Sequence, residues 1–183
     1  MATQEGFAGA LMQSETDWLW KREIDYQPPT GNRDIGRLEF TDPERKLMIE
    51  EGVDQPYTEV WERIDDAAST GGEAWVLKLE PNANDERGLL IAVGNHFMLA
   101  LDRRKKGDGA TPDVFNMEIS HGKRAGPVSQ WIISDSIFPW REGQCVFGES
   151  PLVIDWDRRL LIESRVWSIV EPTVGCLDWI QSG

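Results

Sequence analysis

Two cysteines and two histidines are all that 183 residues contain, and their scarcity excludes several chemistries at once. Cys145 and Cys176 have neither CxxC spacing nor a histidine cluster beside them, so no zinc finger or dithiol motif is encoded. In a reducing compartment they read as two thiols, the alternative being a single disulfide between them. His96 and His121 cannot supply a three-histidine zinc site, and HExxH is absent. Basic residues are also few: 19 Lys and Arg stand against 32 Asp and Glu, a net charge of -13. Such a surface repels phosphate backbones, so no nucleic-acid partner is expected. No uninterrupted apolar run approaches the roughly 18 residues of a membrane-spanning helix, and Phe7 to Met12 is too short for a secretory h-region. A cytoplasmic location is the expectation. No serine lies in a GxSxG elbow, neither cysteine has a local base, and Ser69-Thr70-Gly71-Gly72 lacks a Walker lysine. Neither a metal nor a cofactor is expected.

Tryptophan, by contrast, is abundant, with nine residues, most of them at alternating positions in short apolar runs. Trp18 and Trp20 straddle Leu19, Tyr57 and Trp61 share a parity, Trp75 leads Leu77 and Leu79, and Trp167 precedes Ile169. Period-two placement of large rings is how a strand lines a sheet or barrel interior. Each ring buries roughly 150 to 250 Å², enough to fill a core or to wall a pocket.

The order of elements follows from the breaks. Residues 1 to 14 have no convincing period and are expected as a loose N-terminal arm or short docked helix. The barrel domain then runs over 15 to 175, and 176 to 183 form a tail. Strands are expected at 18–22, 37–40, 46–50, 57–64, 74–80 and 88–102. Further strands are expected at 114–120, 131–134, 144–147, 152–156, 159–162 and 165–170. Gly94 interrupts the long 88–102 run, which predicts a bulge or a tight bend at a barrel corner. Gly122 to Pro127 reads as a turn. The basic run Arg103-Arg104-Lys105-Lys106 ahead of Gly107-Asp108-Gly109 reads as a solvated hairpin tip. With no persuasive helix, the pattern predicts an all-β protein: a single antiparallel calycin- or lipocalin-like β-barrel of about 8–10 strands, preferred over a sandwich.

Polar residues inside these strands are the site candidates. Tyr57, Glu59, Trp61 and Arg63 share one strand face, and Arg165 with Trp167 repeats the pairing near the C-terminus. A Glu–Arg pair there has two readings: an ion pair that fixes register, or hydrogen-bond donors to a ligand oxygen in an apolar pocket. His96 shares the parity of Met98 and Ala100, and is either a rim histidine satisfied by one hydrogen bond or a pocket-facing donor. His121, beside Gly122, is expected at the surface.

The stretches Ile49-Glu50-Glu51-Gly52 to Tyr57-Thr58-Glu59-Val60-Trp61-Glu62-Arg63, Gly88-Leu89-Leu90-Ile91-Ala92-Val93-Gly94 and Trp167-Ser168-Ile169-Val170-Glu171 resemble the fungal Hri family of small calycin-like β-barrel proteins. Ala92 departs from the arginine expected there in many relatives, and Asn95-His96 from the residues that follow the glycine. The resemblance implies two functions. One is a cofactor-free pericyclase of hetero-Diels–Alder type, joining a tropolone-derived quinone methide to a terpene alkene in secondary metabolism. The other is a non-catalytic ligand-binding or adaptor barrel. For the cyclase, Tyr57, Arg63 and His96 are the candidate donors to the enone oxygen. Trp20, Trp61, Met98, Trp156, Arg165 and Trp167 are the candidate substrate-binding residues. The partner implied is a hydrophobic small molecule, and the protein is expected to pair as a homodimer.

Overall fold

The computed structural model describes residues 6–27, 30–63, 74–104, 116–124, 130–148, 153–154, 159–162 and 165–172. Among these the chain is all-β with almost no helix, the 3₁₀ turn Pro139–Arg141 being the one whose whole length is described. No described helix is long and apolar enough to cross a membrane. Among the described residues thirteen strands form two antiparallel sheets. The first is a five-stranded meander of β1 (Phe7–Ser14), β2 (Asp17–Asp25), β3 (Ile35–Phe40), β4 (Leu47–Gly52) and β5 (Thr58–Glu62). The second uses β6 (Ala74–Leu79), β7 (Arg87–Val93), β8 (His96–Asp102), β9 (Met117–Lys123), β10 (Ile132–Ser136), β11 (Val153–Ile154), β12 (Leu160–Ile162) and β13 (Arg165–Pro172). Its spatial order is β10-β9-β8-β7-β6-β13-β12-β11.

The strands thus fall into two sheets rather than the one expected, and among the described residues neither sheet pairs its own two edges, so no closed barrel is detected. The N-terminal stretch is no arm: from Phe7 it is an edge strand paired with β2 along its whole length. Gly94 is neither bulge nor barrel corner. It takes φ +54° at the first central position of a two-residue hairpin that pairs Val93 with His96, the position glycine fills in a type II′ turn. Gly122 lies inside β9 rather than in a turn, because a bare Cα lets β10 come close. A Cβ there would stand 2.0 Å from the Ile132 carbonyl oxygen. Residues 144–147 form no strand of their own; Cys145 makes a single bridge to Ile132, while Val146 and Phe147 are buried. Cys176, and the tail that carries it, lie outside the described residues.

Alternation along the eight-stranded sheet separates two cores. Leu77, Leu79, Leu90, Ala92, Phe97, Leu99, Leu101, Ile133, Leu160, Ile162 and Trp167 share one face, closed over by Trp131, Val146 and Phe147. Leu89, Ala100 and Met117 belong to the other face, which packs against Ala8 of β1 and Ile24 of β2. The beginning of the meander therefore lies on the large sheet. An ionic clasp around the buried Asp102 carboxylate reinforces this contact: Asp102 binds Arg87 and Arg104, and those guanidiniums reach the carbonyls of Glu23 (2.6 Å) and Asp25 (2.9 Å). Arg104, expected in a solvated tip, is instead half-buried in this network, because its guanidinium meets a carboxylate that the fold has removed from water.

Candidate functional site

Strands β2 to β5 of the meander carry a cluster built around one carboxylate. Cross-strand register places Trp18 opposite Gly36, Gly36 opposite Gly52, and Trp61 opposite Met48, two residues before Glu50. Directly paired residues share a face, so β2 to β5 converge their side chains on Glu50. That glutamate is only 1% exposed and accepts three hydrogen bonds. Trp20 Nε1 (2.9 Å) and the Tyr57 hydroxyl (2.9 Å) reach Oε1, and Trp61 Nε1 (3.0 Å) reaches Oε2. All three donors are neutral, and among the described residues Glu50 forms no ion pair.

Two glycines make room for this arrangement. A Cβ at Gly36 would stand 2.4 Å from Glu50 Oε1, and one at Gly52 would stand 2.5 Å from the Tyr57 ring. Gly36→Ala is therefore expected to lower stability by about 1 to 3 kcal/mol, the usual cost of overpacking. Denaturant unfolding with the slope unchanged is the check.

Above the carboxylate the two indoles stack, with centroids 5.4 Å apart and planes inclined 22°. Phe7 meets Trp20 edge-on at 5.7 Å, and the Arg22 guanidinium covers Phe7 at 4.1 Å. Arg22 is held by Asp34 through Nε (2.8 Å) and Nη2 (2.6 Å). Asp34 in turn lies 3.2 Å from the Tyr57 hydroxyl. Burial, then the hydrogen bond and charge of Glu50, with Asp34 behind them, push the Tyr57 phenol well above its ordinary range. Its one proton is committed to these carboxylates. Tyr57 thus holds the cluster together rather than presenting a donor to a ligand.

The sequence candidates are distributed unevenly. Trp20, Tyr57 and Trp61 meet at Glu50. Arg63 shares their strand face but lies beyond the far end of β5, exposed, with its N–H on the Lys46 carbonyl (2.8 Å). Its charge acts on Asp42, which the backbone N–H groups of Leu47 and Lys46 hold below the usual carboxylate range. His96 belongs to the other sheet, opposite Lys123. Met98 packs beneath the meander and lines an open cleft of about 340 Å³ with Ile119, His121, Asp135 and Ile137. There His121 Nε2 is 3.2 Å from Asp135, and both side chains are exposed. Arg165 is bound to Glu86 through Nε (3.1 Å) and Nη2 (3.2 Å). Trp167 is core, not pocket wall: it is 1% exposed, and its ring lies over Gly88, where a Cβ would meet it at 2.7 Å. Trp156 lies outside the described residues.

A second cleft, of about 460 Å³, opens between β2, β6 and the β6–β7 hairpin, with Arg22 on its wall and Ile24, Leu79 and Leu89 beneath. Both volumes are in the range of small-molecule sites. Among the described residues no group of three or more His, Cys, Asp or Glu is placed to hold a metal ion.

Glu50, Asp34 and Gly36 were not among the candidates. Their signal was indirect: buried indole N–H groups need acceptors, and Glu50 is the residue of β4 that alternates with Gly52 on the face shared with Trp61. No family model, curated protein or solved structure matches the chain.

Proposed function

We propose that the chain is a cofactor-independent pericyclase of hetero-Diels–Alder type, a relative of the Hri family in which the eight-stranded sheet is the wall of a calycin-like barrel. Its substrates are a tropolone- or polyketide-derived quinone methide and a terpene alkene. The observation that supports this reading is the Trp20–Trp61 stack, whose indole N–H groups are fixed by Glu50 while Trp61 stays 38% exposed. A rigid aromatic shelf orients two apolar reactants. Proximity and orientation alone can supply up to about 7 to 11 kcal/mol of a bimolecular barrier.

The test is to generate the quinone methide in the presence of the alkene, with and without the purified chain, and to measure rate and enantiomeric excess. Racemic product at the background rate would end the reading. With an active protein, Trp61→Ala is expected to lower kcat/KM about 100-fold, as a small misplacement of reactants does. Chelators should leave turnover unchanged, and loss of activity on metal removal would overturn the cofactor-independent mechanism.

The second reading, a non-catalytic ligand-binding or adaptor barrel, also has an observation in its favour. The face of the large sheet that carries Trp167 is filled by its own side chains.

A further inference from the structure

We infer that the outer face of Trp61, backed by Trp20 and the buried Glu50 carboxylate, is a binding site for an organic cation with apolar substituents, such as a trimethylammonium group. This site stands on the local geometry and not on the cyclase reading. Trp20 covers one face of Trp61 at 5.4 Å, and Trp61 retains 38% of its surface, so part of the ring away from Trp20 is accessible to a ligand. An indole face attracts cations through its quadrupole, and tryptophan does so best among the aromatic side chains.

Glu50 adds two effects. Both indoles donate to it (2.9 and 3.0 Å), which polarises them and drives electron density toward the ring faces. Its charge is also uncompensated: the three hydrogen bonds come from two indoles and a phenol, and no described cation pairs with it. The nearby guanidinium of Arg22 is engaged by Asp34 and Asp25. A buried carboxylate without a counter-ion creates a negative potential that little solvent screens. A cation over Trp61 would supply the missing positive charge. An anion there would meet Glu50 and a chain whose net charge is -13.

The probes are choline and its uncharged isostere 3,3-dimethylbutan-1-ol, titrated into the full chain and followed by the upfield shift of their methyl resonances and by tryptophan emission. Choline is expected to bind roughly five- to tenfold more tightly, the preference a partly desolvated cation–π contact gives. Glu50→Gln should reduce that preference, and Trp61→Leu should abolish the methyl shift. Trp61→Phe, which keeps an aromatic face of weaker quadrupole, should retain part of it and serves where the leucine variant does not fold. Equal affinity for the two probes overturns the inference, as does a choline preference that survives both Glu50→Gln and Trp61→Phe intact. A chain that prefers choline yet shows no cyclase activity retains this site and loses the proposed function; the reverse result does the opposite.

Discussion

Replacing Asp102 with alanine is expected to lower the unfolding free energy by about 2 to 3 kcal/mol, the cost of losing a buried acceptor of charge-assisted hydrogen bonds whose arginine partners keep contact with water. Asp102 is 1% exposed. It accepts from Arg87, from Arg104 Nε (2.8 Å) and Nη2 (3.0 Å), and from the Arg104 backbone N–H (3.1 Å). Without it Arg87 on β7 and Arg104 just beyond β8 lose their shared carboxylate, and neither is held against the carbonyls of β2. The loss therefore loosens the attachment of the meander as well as the local pair. A typical domain has only about 5 to 15 kcal/mol in total, so the variant should melt many degrees lower. The triple change Asp102→Leu, Arg87→Met, Arg104→Met should cost less, because an apolar replacement leaves no guanidinium without its carboxylate. A triple variant as unstable as Asp102→Ala would assign the effect to packing rather than to stranded charge.

The same carboxylate gives a pH dependence with a definite sign. Burial alone raises Asp102, but the Arg104 hydrogen bonds and the charges of Arg104 and Arg87 outweigh it and hold the carboxyl below its ordinary value. Its contribution is therefore present above about pH 4, the unfolded carboxylate range, and is lost as pH falls through the lower folded-state value. Acid melting curves of the wild type should steepen below about pH 4 relative to the triple variant.

Strand positions were largely legible from alternation, because half-buried strands must alternate. Ala74–Leu79, Leu160–Ile162 and Arg165–Pro172 fall within about two residues of expectation. The number of sheets was not legible, since a continuing series of antiparallel strands is equally compatible with one barrel and with two layers. What divides them is long-range pairing, such as β13 joining β6, and nothing local encodes it. The Gly94 hairpin, by contrast, has a local signal: Gly-Asn between two apolar runs is the sequence of a type II′ turn, and the length of the 88–102 run alone does not distinguish it from a bulge. In the candidate site, Tyr57 and Trp61 were recognised by shared parity, while their acceptor Glu50 was not. A glutamate in an alternating strand reads as a solvated position until the cross-strand register sets two indoles and a phenol over it. Arg63 illustrates the converse: parity assigns a face but not a distance along the strand.

Trp167→Ala is the second substitution of large effect, expected to cost about 3 to 5 kcal/mol, as truncation of a buried aromatic does. By alternation alone Trp61 and Trp167 were equivalent candidates for a pocket wall. Register separates them. Trp167 stands opposite Leu79 and Leu160 on the filled face, resting on Gly88, so its removal leaves a cavity among residues that cannot close it. Trp61 stands on the last strand of the meander, with one face against Trp20, its Nε1 on Glu50 and 38% of its surface exposed. Its loss forfeits a stacking contact worth roughly 0.5 to 1.5 kcal/mol and one donor to Glu50. The two alanine variants should therefore diverge. Trp167→Ala should unfold at much lower denaturant yet, while folded, bind small ligands as the wild type does. Trp61→Ala should lose ligand-dependent tryptophan quenching while keeping most of its stability. If Trp167→Ala instead remained as stable as the wild type and abolished ligand binding, the filled face would be the ligand site and the meander an accessory layer.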